Sequence, residues 1–171
     1  MGIRFRKSIN TITKSNKSLI IMMDGKVDSL KNVIVDKLIN KIEPSRYKFM
    51  KYSRKDFNIR RFWTNGAEKH QIIIWDGSYK QELKYCDKEE LAEINFFESQ
   101  MSRYGFEVVA FKFENGKTVS EKFNSNGNYF KIKGSDKEEV FELVINNITD
   151  IIEKLTVNEE ENREPIEHIV D

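Results

Sequence analysis

Two short apolar runs dominate the hydropathy pattern of this chain. Leu19 to Met23 and Ile72 to Trp75 are five and four residues long, and an aspartate and a glycine follow each of them directly. Short continuous runs of this kind are typical of strands that are buried on both faces of a parallel sheet. Such a sheet needs helices on both faces, so the pattern predicts an α/β protein.

Apolar residues take helical spacing in three other segments. One lies between Gly25 and Pro44, one begins at Asp87, and one covers 136–155. In the first two, the predicted buried stripes are Leu30, Val33, Ile34, Leu38 and Ile42, and Leu91, Ile94, Phe97 and Met101. A less regular helical pattern covers 55–63, and further strands are predicted at 46–51, 106–113 and 129–133. The alternation predicts a three-layer sandwich, with a mostly parallel central sheet of about five strands and helices on both faces.

Composition and charge divide the chain into three predicted parts. Residues 1–17 carry five basic residues and no acid, which predicts a basic N-terminal arm before a domain at 18–156. Residues 157–171 carry six acids and one arginine, which predicts an acidic, disordered C-terminal tail. The two ends can pair with each other, bind separate partners or remain solvated. Cys86 is the only cysteine and no apolar run approaches the roughly 20 residues of a membrane span, so we expect a cytoplasmic protein.

Both apolar runs end where ligands bind in sheets of this kind. Asp24 and Gly25 follow the first run and Asp76 follows the second, and ligands occupy the carboxyl ends of parallel strands. Lys31 lies six residues after Gly25, which is the spacing of the first glycine and the lysine in a phosphate loop. In such a loop, backbone N–H groups surround a phosphate and the lysine contacts its oxygens. An acid at the end of a buried strand is also a candidate ligand of Mg²⁺.

The chain resembles polyphosphate kinase family 2 from Ser18 to about Leu155. Members of that family have a P-loop core similar to thymidylate kinase and move phosphoryl groups between polyphosphate and nucleotides. The matching segments occur in the same order as in the family. The first four resemble its Walker A loop (24–31), a turn (42–47), an Arg-aromatic element (61–63) and its Walker B segment (75–79). The others resemble helix and strand segments at 86–90, 94–105 and 108–111, and the last strand with the start of the last helix at 129–137. The resemblance implies a P-loop kinase fold, a nucleotide or polyphosphate ligand, and Mg²⁺ as cofactor.

The resemblance also implies roles for individual residues. Catalytic roles fall to Asp76 and Lys31, and Asp76 is the predicted metal ligand. The predicted phosphate- and nucleotide-binding residues are Asp24, Gly25, Asp28, Lys31, Asn32 and Arg61. Structural alternatives remain open, since Lys31 can be a solvated helix residue, Asp24 a helix cap and Arg61 a surface residue.

Several positions depart from the family's pattern. Leu30 stands at the second loop glycine, Asn32 stands where Ser, Thr or Gly is expected, and Val27 replaces a loop aspartate. Gly77 replaces the Walker B arginine, and about fifteen residues between strands take the place of the family's helical lid. Phosphoryl transfer depends on cations that oppose the developing charge, so these departures predict slow or absent catalysis.

Three functions follow from these observations. The first choice is a degenerate kinase-like domain that acts as a non-catalytic binding or regulatory protein, still able to bind phosphate or nucleotide, with a protein partner or as a homo-oligomer. The alternative is an active phosphotransferase that moves phosphoryl groups between polyphosphate or a nucleoside triphosphate and a nucleotide. The third is a nucleic-acid-binding accessory protein, which ranks last because the basic arm lacks an aromatic platform. No membrane partner is predicted.

Overall fold

The part of the chain that the structure describes contains six strands and four α-helices. The computed structural model describes residues 2–26, 29–51, 71–77, 87–103, 105–122 and 128–162, with side chains described as far as residue 157. The helices are α1 (Gly2–Thr13), α2 (Lys31–Lys41), α3 (Lys88–Arg103) and α4 (Lys137–Asn162). The strands are β1 (Ser18–Gly25), β2 (Tyr47–Lys51), β3 (Ile72–Asp76), β4 (Phe106–Glu114), β5 (Val119–Lys122) and β6 (Asn128–Lys133).

The strands form one sheet in the order β2-β3-β1-β4-β6-β5. β1 pairs in parallel with β3 on one side and with β4 on the other. β5 is antiparallel to β6, whereas the other described pairings are all parallel. The register sets Met22 opposite Trp75 and Asp24 opposite Lys112, so the polar ends of neighbouring strands lie at one edge. The predicted mostly parallel sheet is confirmed, with six strands where about five were expected.

Helices cover both faces of the sheet. Residues of α1, α2 and α4 pack with Leu19, Ile21 and Met23 of β1 on one face. On the other face, α3 packs against Ile20 and Met22. Leu19 through Met23 have no solvent exposure at all, and full burial of one such side chain contributes about 1.5 to 3 kcal/mol. The central strand β1 therefore contributes side chains to the hydrophobic core on both faces of the sheet, as the uninterrupted apolar run predicts.

The helical stripes agree with the sequence pattern except at two positions. Val33 is 39% exposed, and Val35 takes the buried place in α2 at 4% exposure. Leu91 is 40% exposed because it lies in the first turn of α3, before the buried stripe begins at Ile94. In the last helix, Val140, Val144, Ile148 and Ile151 are buried as predicted.

The predicted basic arm is instead a helix of the domain. α1 buries Phe5, Ile9 and Ile12 in the same core as β1, so a boundary at residue 18 would cut through the hydrophobic core. Arg4 donates hydrogen bonds to Asp150 at 2.6 Å and to Glu153 at 2.7 and 2.9 Å. Charged residues outnumber apolar ones on the exposed side of α1, so the sequence pattern did not predict its apolar face.

The acidic tail is described only in part. α4 continues to Asn162, so the predicted start of the tail at residue 157 falls inside a helix. Residues 163–171 and the segment 55–63, which was predicted to be helical, lie outside the described residues. No helix in the described ranges has both the length and the apolar character needed to cross a bilayer.

The packing of α1 predicts how the domain responds to truncation of a single side chain. Ile12→Ala removes a side chain with no solvent exposure and should lower the free energy of unfolding by about 2 to 5 kcal/mol. Ile3→Ala is the matched control, because Ile3 is 74% exposed on the same helix and should change stability by less than about 0.5 kcal/mol. Urea unfolding followed by circular dichroism measures both. Equal stabilities for the two variants would contradict a core role for α1.

Candidate phosphate site

The candidate site lies at the carboxyl ends of β1 and β3, next to the start of α2. Asp76 is the last residue of β3, and Lys31 is the first residue of α2. The Nζ atom of Lys31 donates a hydrogen bond to Oδ1 of Asp76 at 2.8 Å. The two side chains are 18% and 21% exposed, so most of this ion pair is shielded from water. The fold therefore brings together the two residues predicted to be catalytic.

This ion pair neutralises two charges that would otherwise be costly to shield from water. Removing one partner of a mostly buried pair leaves an uncompensated charge, which is strongly destabilising. Each partner can also be satisfied from outside, Lys31 by an anion and Asp76 by a cation. An anion alone leaves Asp76 without compensation, whereas an anion and a cation together satisfy both groups.

Ser29, Lys31 and Phe113 lie close to Gly25 at the end of β1. A Cβ atom at this glycine would lie 2.5 Å from Ser29 Oγ and 3.3 Å from the Cβ atoms of both Lys31 and Phe113. Ser29 Oγ in turn donates to the carbonyl oxygen of Lys26 at 2.6 Å. The close packing therefore favours glycine at this position, because a side chain would displace Ser29 Oγ from its place.

Asp24 supports the loop and does not cap a helix. Its Oδ1 atom accepts a hydrogen bond from the backbone N–H of Gly25 at 2.9 Å. The cap position of α2 is Leu30, and no side chain provides a capping hydrogen bond there. Asp24 therefore lies near the end of β1, next to Gly25 of the candidate site.

Leu30, which the resemblance places at the second loop glycine, is the residue that precedes α2, and its backbone angles lie outside the regular helical range. Its φ and ψ angles are −74° and 2°, and its side chain packs against the core. Among the described residues, no residue other than glycine has a positive φ angle. Asn32 follows Lys31 in the first turn of α2 and is exposed. Asp28 and Arg61, the remaining predicted ligands, lie outside the described residues.

Gly77 has a backbone role that the sequence did not reveal. Its φ angle is 111°, which side-chain-bearing residues rarely adopt. Its backbone N–H donates to the carbonyl oxygen of Met23 at 2.6 Å and so joins the ends of β3 and β1. Glycine at this position therefore fixes the backbone immediately after Asp76.

A cleft of about 490 Å³ opens on the β4 side of the loop. Gly25, Lys26 and Ser29 form one wall, and residues 112–115 form the other. Pockets of roughly 300 to 1,000 Å³ are typical of small-molecule sites. Lys26, Lys112 and Glu114 were missed in the sequence analysis. The alternation of Lys112 and Glu114 with Phe111 and Phe113 is the signal that could have placed both on one face of the sheet.

Two titratable groups near this cleft have shifted pKa values. Partial burial acts to raise the pKa of Glu114, but hydrogen bonds and charges from Lys112 and Lys131 outweigh it and hold the pKa below its usual range. Burial raises the pKa of Tyr129, and the carboxylates of Asp24 and Glu114 raise it further. Near neutral pH, Glu114 is thus an anion and Tyr129 is a neutral hydrogen-bond donor.

A carboxylate placed like that of Asp76 is suited to share a Mg²⁺ ion with a phosphate ligand. They contain no group of three or more histidines, cysteines or acids placed to hold a metal ion. Mg²⁺ in phosphoryl-transfer sites is commonly bound by one or two carboxylates together with phosphates of the ligand and water. Asp76, at the end of β3 beside Lys31, fits that pattern.

Known proteins resemble this chain in structure but not detectably in sequence. No family model matches the chain, and no curated protein matches it. A Pseudomonas aeruginosa PA01 protein assigned as polyphosphate kinase 2 is similar in structure, with a TM-score of 0.70 and 18% identity over 91% of this chain. Polyphosphate Kinase 2 from Arthrobacter aurescens TC1 is similar with a TM-score of 0.61 and 12% identity over 90% of this chain. This chain spans 47% of the first protein's length and 76% of the second's, and at these identities the likeness shows the fold.

The positive φ angle of Gly77 predicts that arginine, which the resemblance to the family leads one to expect at this position, would strain the backbone. Gly77→Arg should destabilise the fold by about 1 to 3 kcal/mol, because a residue with a side chain is strained at a φ angle of 111°. Gly2→Ala is the control, since no atom lies within 4 Å of an added Cβ at Gly2, and its effect should stay below about 0.5 kcal/mol. Guanidinium unfolding measures both variants. An unchanged stability for Gly77→Arg would show that the glycine is not needed for the backbone.

Proposed function

We propose that this chain is a phosphate-binding domain with the fold of polyphosphate kinase 2, which binds a nucleotide or polyphosphate together with Mg²⁺ and acts as a binding or regulatory protein. Lys31 contacts the phosphate, and Asp76 contributes the carboxylate for the metal ion. The contact of 2.8 Å between these two side chains is the observation that carries the proposal.

The ion pair explains why phosphate and metal should bind together. A phosphate that takes Lys31 must release Asp76, whose charge is mostly shielded from water at 21% exposure. When Mg²⁺ is bound, it compensates Asp76 and supplies positive charge toward the phosphate. Lys31 is then free to turn to the anion. Binding of the phosphate should therefore depend strongly on the metal ion.

Three features support binding over rapid phosphoryl transfer. Leu30 packs into the core where the loop of an active kinase has a glycine, so fewer backbone groups can close around a phosphate. Gly77 offers no cationic side chain at the end of β3. The segment between β4 and β6 contains the strand β5, whose place in the sheet leaves less chain for a closing lid. A missing cation alone typically costs about 10³ to 10⁵ in the rate of such transfers.

An active phosphotransferase is the second candidate. The retained pair of Lys31 and Asp76 favours it, because these are the two groups that such a reaction needs at the transferred phosphate. Transfer of phosphate from polyphosphate to ADP or GDP, followed by chromatography, separates the candidates. Turnover that is lost in Asp76→Asn would establish the enzyme and overturn the non-catalytic proposal.

Ligand-induced stabilisation tests the binding site directly. ATP, GDP, AMP and polyphosphate are each added with and without Mg²⁺, and thermal unfolding is recorded. A ligand at about 100 times its dissociation constant should stabilise the wild type by about 2.7 kcal/mol in the presence of Mg²⁺. The metal-dependent part of this stabilisation should vanish in Lys31→Ala.

Two further variants sharpen that test. Lys37→Ala is the matched control, because Lys37 lies on the same helix and also forms an ion pair, with Glu138 at 2.7 Å. It should leave the metal-dependent stabilisation unchanged. Asp76→Asn should retain anion binding but lose its dependence on Mg²⁺, since Lys31 is then no longer held by a carboxylate. A wild type that shows no metal-dependent shift with any of the four ligands would contradict the proposed function.

A further inference from the structure

We propose that the outer face of α3 binds a second copy of this chain, with two α3 helices packed antiparallel about a two-fold axis at Phe96. The residues of this face, which we call the α3 stripe, are Glu89, Ala92, Phe96, Ser99 and Arg103. None of them belongs to the proposed phosphate site, so either proposal can fail without the other.

The α3 stripe points away from the sheet. The buried side of the helix consists of Ile94, Phe97 and Met101, which pack in the core on one face of the sheet. At 3.6 residues per turn, residues spaced alternately by three and four positions share one side of a helix, and the stripe follows that spacing on the opposite side. All of its residues are exposed, and Phe96 is 56% exposed. The centre of the stripe therefore presents a large aromatic ring to solvent.

The charges of the stripe lie at equal distances from Phe96 and have opposite signs. Glu89 is seven residues before Phe96, and Arg103 is seven residues after it. At about 1.5 Å per residue, each charged residue is about 10 Å from Phe96 along the helix axis. Ala92 and Ser99, which lie between, are small and uncharged. A stripe with this arrangement is complementary to an antiparallel copy of itself.

The helix dipole accounts for only part of this arrangement. An acid in the first turn and a base in the last turn stabilise a single helix. Asp87 also caps α3, since its Oδ1 atom accepts a hydrogen bond from the backbone N–H of Glu90 at 2.8 Å. Neither effect explains an exposed phenylalanine midway between the two charges on the same side. Single exposed apolar residues are common on protein surfaces, so it is the combination of ring, spacing and charge that marks the stripe as an interface.

Antiparallel packing gives every residue of the stripe a partner. Packed helices have axes about 8 to 10 Å apart, and the small side chains of Ala92 and Ser99 leave room for the rings of both copies. The two Phe96 rings meet at the axis, where offset or edge-to-face contacts are favoured. Glu89 of each copy then faces Arg103 of the other, which gives two equivalent ion pairs. A parallel arrangement would instead bring the two glutamates together and the two arginines together.

The size of the stripe predicts a weak dimer. Glu93 and Asn95 flank the stripe and are exposed, and such a polar rim is usual around the centre of an interface. α3 has 16 residues, so it is about 24 Å long and about 10 Å wide. This area is smaller than the roughly 800 Å² that each partner buries in a standard interface. Self-association should therefore appear at tens to hundreds of micromolar protein.

Sedimentation velocity of the full chain over a concentration series measures this self-association. Phe96→Asp should raise the dissociation constant about tenfold or more, because it removes both rings and places two like charges at the axis. Leu91→Ala is the matched control, since Leu91 is a 40% exposed apolar residue of the same helix outside the stripe, and it should leave the dissociation constant unchanged. Circular dichroism should show the same fold in both variants. A wild type that stays monomeric at several hundred micromolar, or equal effects of the two substitutions, would overturn the inference.

An exchange of charges tests the antiparallel geometry itself. Glu89→Lys and Arg103→Glu should each weaken self-association about fivefold or more, since both ion pairs become pairs of like charges. An equal mixture of the two variants should restore association, because every contact across the axis then joins opposite charges. A mixture that associates no more strongly than either variant alone would refute the antiparallel pairing. The metal-dependent stabilisation by nucleotide should be the same in Phe96→Asp as in the wild type, so failure of either proposal can be recognised separately.

Discussion

Complete burial of the central strand is the constraint on which the rest of this structure depends. Five consecutive side chains of β1 have no contact with solvent, so the sheet must be covered on both faces by helices. Because β1 is parallel to both of its neighbours, its polar end and theirs lie at one edge. The ion pair of Lys31 and Asp76 lies at this edge, while the apolar residues form the core on the two faces of the sheet.

The burial of β1 can be predicted from the sequence, and so can the strands and helices that pack around it. The two apolar runs predicted β1 and β3, and helical spacing predicted α2, α3 and α4. Lys31 and Asp76 lie 45 residues apart in sequence, and the sequence assigned each of them a role in a phosphate site without predicting the ion pair that joins them. Elements whose position follows from apolar spacing alone were therefore predicted correctly.

Other features depend on packing between elements that are distant in sequence, which a local sequence pattern does not reveal. α1 was predicted to be a basic N-terminal arm because its charge outweighed a short apolar stripe, and its packing in the same core as α4 shows that this stripe is buried. β5 is four residues long with three exposed side chains, so no alternation marks it, and pairing with β6 defines it. The pairing of Lys112 with Lys131 depends on strand order, since β4 and β6 become neighbours only when β5 takes the outside of the sheet. Gly77 shows the same limit, because its φ angle follows from a contact between two strand ends.

The contact of Arg4 with α4 has a consequence for the order in which the chain folds. The residues it joins are separated by 146 and 149 positions, which is close to the longest separation this chain permits. Proteins dominated by such distant contacts fold slowly, since a large loop must close before the contact forms. At about 5 to 20 residues per second, a ribosome makes α1 many seconds before it makes α4. During that interval Phe5, Ile9 and Ile12 have no completed core to enter, so the apolar face of α1 stays unburied until the last helix has been made.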